Sequence, residues 1–182
     1  MQILMRAAAA SLALLAAACG AREVEDGPAG AASRTLAGAL AADRGFDGLA
    51  EVADNAGLSD VFEGVGPYTV FAPSDAAFAA GPDFTAATMR PEGAALVRAH
   101  VVPGALTRRD IVAAIARAGG DGVAMRTMAD GLITFSREGD GLVATTADGA
   151  RARLAGREVT TRNGVLQPID GLLVRPEPAP AR

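Results

Sequence analysis

Apolar residues recur at three- and four-residue spacing through the first half of the chain and in short alternating or continuous runs through the second. The first pattern is that of helices with one buried face, the second that of strands. Leu36 and Ala39-Leu40 predict a short helix, and Phe46, Leu49, Ala50, Ala53 and Ala56 a second one that stops at Gly57. A brief third turn follows over 58–62, and Gly64-Val65-Gly66-Pro67 breaks the pattern. Residues 68–72 (YTVFA) are β-branched and aromatic, as a buried strand requires. Ser74 is placed to cap a helix that turns Ala77 and Phe78 inward. Pro91 suits the first turn of the next helix, which carries Leu96, Val97 and His100 on one face and is expected to end over 101–104. Thr107 then caps a helix over 108–118, with Ile111, Ala114-Ile115 and Ala118 as its apolar stripe.

Beyond residue 120 the period changes. Asp121-Gly122, Asp130-Gly131, Asp140-Gly141, Asp148-Gly149 and Asn163-Gly164 punctuate the chain, and such dipeptides favour the positive φ of tight turns. The runs between them, 123–128, 132–135, 142–146, 152–154, 158–161 and 165–174, predict an antiparallel meander. Calcium would need carboxylates at alternate positions before a Gly, and no stretch has that spacing, so these dipeptides read as turns.

The two ends read differently. Residues 7–18 (AAAASLALLAAA) form an uncharged run after Arg6, too short at ~1.5 Å per residue to span a ~30 Å hydrocarbon core. It reads as the apolar part of a signal peptide, with Met1 or Met5 as the start. Ala17 and Ala18 before the sole cysteine, Cys19, resemble the bacterial lipoprotein signal, in which the chain is cut before that Cys and the Cys takes a diacylglyceryl group. The expected organisation is a signal peptide over 1–18, a flexible charged tether over 19–34, a globular domain over 35–175 and a Pro-rich tail over 176–182.

Composition narrows the chemistry. All 17 basic residues are Arg, against 21 acids, for a formal charge of −4, so lysine-based covalent catalysis is excluded. One His, one Cys and no Trp leave too few soft ligands for a closed zinc or iron–sulfur site, and no cofactor is implied. The pI of about 5.0 argues against nucleic acid as a partner. His100 and Ser74-Asp75 invite a hydrolytic reading, but the Gly-x-Ser-x-Gly elbow is missing and the helical spacing of His100 puts it on the packed face. Paired carboxylates stay open, because separation in space is not legible in sequence; Asp170 is the most suggestive acid by position, although Ile169 and Leu172 beside it point to a turn or ladder role.

Residues 68–78 (YTVFAPSDAAF) resemble the first signature of the fasciclin domain, a strand running into a capped helix. Asn163-Gly164-Val165-Leu166, followed by Ile169-Asp170, Leu172-Leu173 and Pro176, is similar to the second signature, and LVRAHVVPG over 96–104 to the segment between them. The resemblance spans about 35–176 and implies an α+β fold in which helices pack around a wedge of antiparallel β-strands. Ser74, Asp75, His100, Asn163, Gly164 and Asp170 are then motif positions with a structural role. Gln167-Pro168 stands where the second signature usually has His, and Pro168 suggests a bulged strand.

In animal members a Tyr-His pair and an Asp-Ile dipeptide are implicated in integrin binding. Here the first is Ala99-His100, without the Tyr, and the second falls on Glu158-Val159, the candidate partner-binding pair. The resemblance implies a non-enzymatic adhesion or surface-binding module. With Cys19 as the lipid attachment site, it would be held on the membrane of the cell envelope, on the outer membrane facing periplasm or surface, near an envelope or matrix protein or polysaccharide. The alternative is a periplasmic small-ligand carrier or enzyme using a cleft near His100.

Overall fold

The computed structural model describes residues 33–175. Cys19, the predicted signal peptide, most of the tether and the Pro-rich tail lie outside the described residues. Helices α1 (Leu36–Ala42), α2 (Asp47–Asn55) and α3 (Ser59–Glu63) come first, with a 3-10 turn, Arg44–Phe46, between the first two. Strand β1 (Tyr68–Pro73) leads through Ser74 into α4 (Asp75–Ala79). Helix α5 (Arg90–Ala99), strand β2 (Val101–Pro103) and helix α6 (Arg108–Arg117) follow. The remainder is β3 (Val123–Arg126), β4 (Leu132–Glu138), β5 (Gly141–Thr146), β6 (Arg151–Arg153), β7 (Val159–Thr161) and β8 (Gly164–Ile169).

The strands form two sheets, in the orders β2-β1-β8-β7 and β3-β4-β5-β6. The expected meander holds for β3 to β6, all antiparallel neighbours. The β7–β8 hairpin departs from it: β8 lies parallel to β1, in register from Tyr68↔Gly164 to Pro73↔Ile169. Burial supplies the reason. Val165, Leu166, Gln167 and Ile169 are all almost inaccessible, so β8 has no wet face and needs cover on both sides, as only an interior strand receives. Sheet one is accordingly a partition. Val70, Ala72, Val101 and Leu166 meet the helices, in one core with Leu36, Leu49, Phe62 and Leu96. Phe71, Val102 and Ile169 point the other way, into a second core with Ile111, Ile115, Ile133 and Phe135. The Phe71 and Phe135 rings join the two sheets at a centroid distance of 5.0 Å.

Other local expectations change as well. Residues 101–103, expected to close a helix, form edge strand β2, since the β-branched pair Val101-Val102 sends one side chain to each core. The final run ends at Ile169, not Val174, because Asp170-Gly171 turns the chain away. Ala118 lies past the end of α6 and is exposed, and Phe78 is only half-buried. The strand passes Pro168 without a bulge, Ala72↔Pro168 and Pro73↔Ile169 keeping register. The last pair with β7 is Val159↔Leu166, so the missing Pro168 N–H faces a side where β7 has already ended, and the Pro168 carbonyl accepts from Ala155 N at 2.8 Å. Among the Asp-Gly turns, left-handed φ falls on Gly122 and Gly149 but on Asp130 and Gly139 at the other two.

Candidate functional site

His100 caps the C-terminus of α5 and its side chain is fully buried. Its Nδ1 lies 2.8 Å from the Leu96 carbonyl oxygen, which can only accept, so Nδ1 carries the proton. Nε2 is then the acceptor, and Leu173 N donates to it at 2.9 Å. Burial lowers the pKa from 6.5 to about 4, against the opposing pull of the Leu96 carbonyl, so the ring is neutral. Both nitrogens are spent on backbone. A hollow of about 250 Å³ lies nearby, lined among others by Ala99, Thr127, Ile133, Asp148, Leu173 and Val174. His100 is not part of its wall.

Asn163 sits in the β7–β8 turn with its side chain directed inward. Its Oδ1 accepts from Leu36 N at 2.8 Å, while Nδ2 donates to the Phe62 and Gly64 carbonyls at 2.9 and 2.8 Å. The first turn of α1, the end of α3 and the second-signature turn are thus tied by one amide. The neighbouring Gly164 is required for a different reason, since a Cβ there would overlap the Tyr68 carbonyl oxygen in the first rung of the β1–β8 ladder.

Glu158 and Val159 are both half-buried. Glu158 Oε2 accepts from Arg108 N, in the first turn of α6, at 2.8 Å and from Gln167 Nε2 at 2.7 Å. Val159 packs against the helical core. The carboxylate therefore belongs to a cluster that the sequence gives no means of assembling. Arg108 donates from Nε to Gln167 Oε1 at 3.2 Å, from Nη1 to Gly156 O at 2.9 Å and from Nη2 to Ala155 O at 2.7 Å. Gln167, fully buried, also donates to Leu106 O at 3.0 Å. Three charged or amide side chains clamp the start of α6 to the end of sheet one. The signal in the sequence was Gln167 itself, a long polar residue inside an apolar strand.

The remaining motif residues are apart from these. Ser74 accepts from Ala77 N as the N-cap of α4, at a long 3.4 Å, and Asp75 Oδ1 accepts from Gly48 N at 2.8 Å, linking α4 to α2. Asp170, exposed, accepts from Arg153 N through Oδ1 at 2.7 Å while its own N–H donates to Arg153 O, so it joins sheet one to β6. On the surface of sheet two Glu138 receives both Arg151 and Arg153, and the Arg151 hydrogen bond holds its carboxyl below the usual range. Among the described residues no three His, Cys, Asp or Glu side chains are placed to share a metal ion, and no helix is long and apolar enough to cross a membrane.

A helical layer, a mixed central sheet with both faces buried and an antiparallel outer sheet, pinned by an inward-facing His and Asn, define a domain of the α+β class. The chain belongs to the fasciclin domain family, whose profile matches residues 44–175. It is 40% identical over 72 residues to an uncharacterised protein of Synechocystis sp., a match covering 38% of this chain and 54% of that protein. It is 27% identical over 161 residues to human Stabilin-1, covering 85% of this chain and 6% of that protein. The chain thus spans about half of the first relative and a small part of the second. The fold is similar to that of a domain pair from the insect cell adhesion molecule Fasciclin I, with a TM-score of 0.68 at 17% identity over 79% of this chain and 52% of that one.

Proposed function

We propose that the chain is a lipid-anchored cell-envelope protein whose fasciclin domain acts as an adhesion or surface-binding module and performs no chemistry on its partner. The observation that supports this reading is His100. The one imidazole, the natural acid or base near neutral pH, is neutral, buried and hydrogen-bonded at both nitrogens to Leu96 and Leu173. The motif side chains Asn163, Ser74 and Asp75 likewise bind backbone of this same chain, so recognition falls to exposed surface, where a few anchors carry most of the energy of an interface. The partner is an envelope or matrix protein or polysaccharide.

The test is attachment. Cells lacking the protein should adhere less to a matrix-coated surface, and expression of either the wild type or folded His100→Gln should restore attachment equally. Cys19→Ser should lose fatty-acid labelling and release the protein from the membrane fraction. Turnover of an envelope substrate that disappears in folded His100→Gln would reverse the reading in favour of an enzyme.

A further inference from the structure

One end of sheet one gathers the point where the chain enters the domain and its most exposed apolar side chain. The last row of that sheet is Pro103, Tyr68, Gly164 and Thr161 across β2, β1, β8 and β7. Three connections project beyond it: 64–67 into β1, 104–106 out of β2 and 162–163 between β7 and β8. They hold one another, since Gly104 N donates to Pro67 O at 2.9 Å and Asn163 Nδ2 to Gly64 O at 2.8 Å. The chain arrives beside the third, where Arg162 N donates to Arg34 O at 2.9 Å.

The surface there is unusual for an acidic protein. Val65 is 96% exposed, and Pro67, Pro103 and Ala105 are exposed as well. No Asp, Glu, Arg or Lys occurs in 64–74 or 99–107, the segments that build two of the three connections. Glu63 and the exposed Arg162 flank Val65 around one shallow hollow.

We propose that this end of the domain is its membrane-facing end, with Val65 and Pro67 set into the phospholipid headgroup layer; the proposal rests on the reading of Cys19 as the lipid attachment site. The 14 residues from Gly20 to Ser33 reach at most about 50 Å, so the anchor keeps the point where the chain enters the domain within that distance of the bilayer. Loops without charge enter the interface without desolvating ions, and an apolar side chain that water surrounds on almost every side gains by burial there. Arg162 can turn its guanidinium to lipid phosphate while its stem follows the apolar surface. Glu63, which lines the hollow beside Val65, limits the depth. This orientation leaves the far end of sheet one and α4 turned toward the partner.

The chain has no Trp, so a single introduced Trp reports its own surroundings. The full chain carrying Val65→Trp should be compared with Ala76→Trp, an exposed position just past the far end of β1, roughly 17 Å along the strand from Tyr68. Both would be reconstituted in phosphatidylethanolamine–phosphatidylglycerol vesicles with acyl chains brominated near the headgroup. The proposal expects Val65→Trp emission to shift to the blue and to be quenched several-fold more than that of Ala76→Trp. Equal quenching of the two, or stronger quenching of Ala76→Trp, overturns it. A blue shift that persists without vesicles and grows with protein concentration also overturns it, in favour of contact between copies. Vesicle flotation separates the two readings: a chain that fails to float refutes the anchor and the orientation together, and one that floats with Val65→Trp unquenched refutes the orientation alone.

Discussion

The backbone N–H of Leu173 donates to Nε2 of His100 at 2.9 Å, across 73 positions of sequence. With Nδ1 bound to Leu96, the ring is a rigid strut between the end of α5 and the segment that follows β8. The arrangement works only for a neutral ring, because a second ring proton would face the Leu173 N–H with no acceptor.

That requirement gives the protein a pH dependence of known sign. Between pH 6.5 and about 4 the unfolded chain binds a proton at His100 that the native chain does not, so stability is full above 6.5 and falls as the pH drops through this window. The loss approaches about 3 kcal/mol at the acid end. Urea denaturation at intervals from pH 7 to pH 4 should show this slope, and His100→Gln, which cannot take up that proton, should flatten it by close to one proton. Equal slopes in the two proteins would contradict the buried neutral ring.

Asn163→Asp should destabilise more than any surface change of the same size. It replaces the Nδ2 donor by oxygen, leaving the Phe62 and Gly64 carbonyls without that partner, at about 1–3 kcal/mol for the buried Phe62 bond and less for the half-buried Gly64 bond. An aspartic acid can donate one of those bonds when protonated, so relative to the wild type the variant should do better at pH 5 than at pH 8. A pH-independent difference would show that the amide does not act as a double donor.

Gly164→Ala places a Cβ on the Tyr68 carbonyl oxygen and has to spread the parallel β1–β8 pair at its first rung. We expect a loss of several kcal/mol, or failure to fold, by analogy with overpacking at ~1–3 kcal/mol where neighbours can move. Gly131→Ala meets only Thr127 Oγ1 at 3.6 Å and should stay within about 1 kcal/mol of wild type. Comparable denaturation midpoints for the two variants would count against the close approach.

Arg108→Lys should cost about 1–3 kcal/mol despite keeping the charge, the range for losing hydrogen bonds made by a charged group. A single ammonium cannot reach Ala155, Gly156 and Gln167 with the geometry of the guanidinium fork. Amide exchange in the first turn of α6 should rise together with the fall in stability. A thermal midpoint unchanged by the substitution would mean that the clamp contributes nothing.

Local rules in the sequence determined much of the protein: helices by the recurrence of Leu36, Leu49, Leu96 and Ile111, their starts by the capping oxygens of Thr107 and Ser74, strands by runs such as Tyr68-Thr69-Val70-Phe71, and the family by the short motifs that begin at Tyr68 and Asn163. Each of these is decided by residues within a few positions of one another. The partition of the core was decided only by the tertiary structure. Which sheet takes β7–β8 depends on covering both faces of Val165 to Ile169, and that cover comes from residues as far apart in the chain as Leu36 and Phe135. The same holds for the site residues. Asn163 reads as a turn former and Glu158 as a surface acid until α1, α3 and α6 bring Leu36, Phe62 and Arg108 to them, because a hydrogen bond is made by proximity in space and leaves no period in the chain.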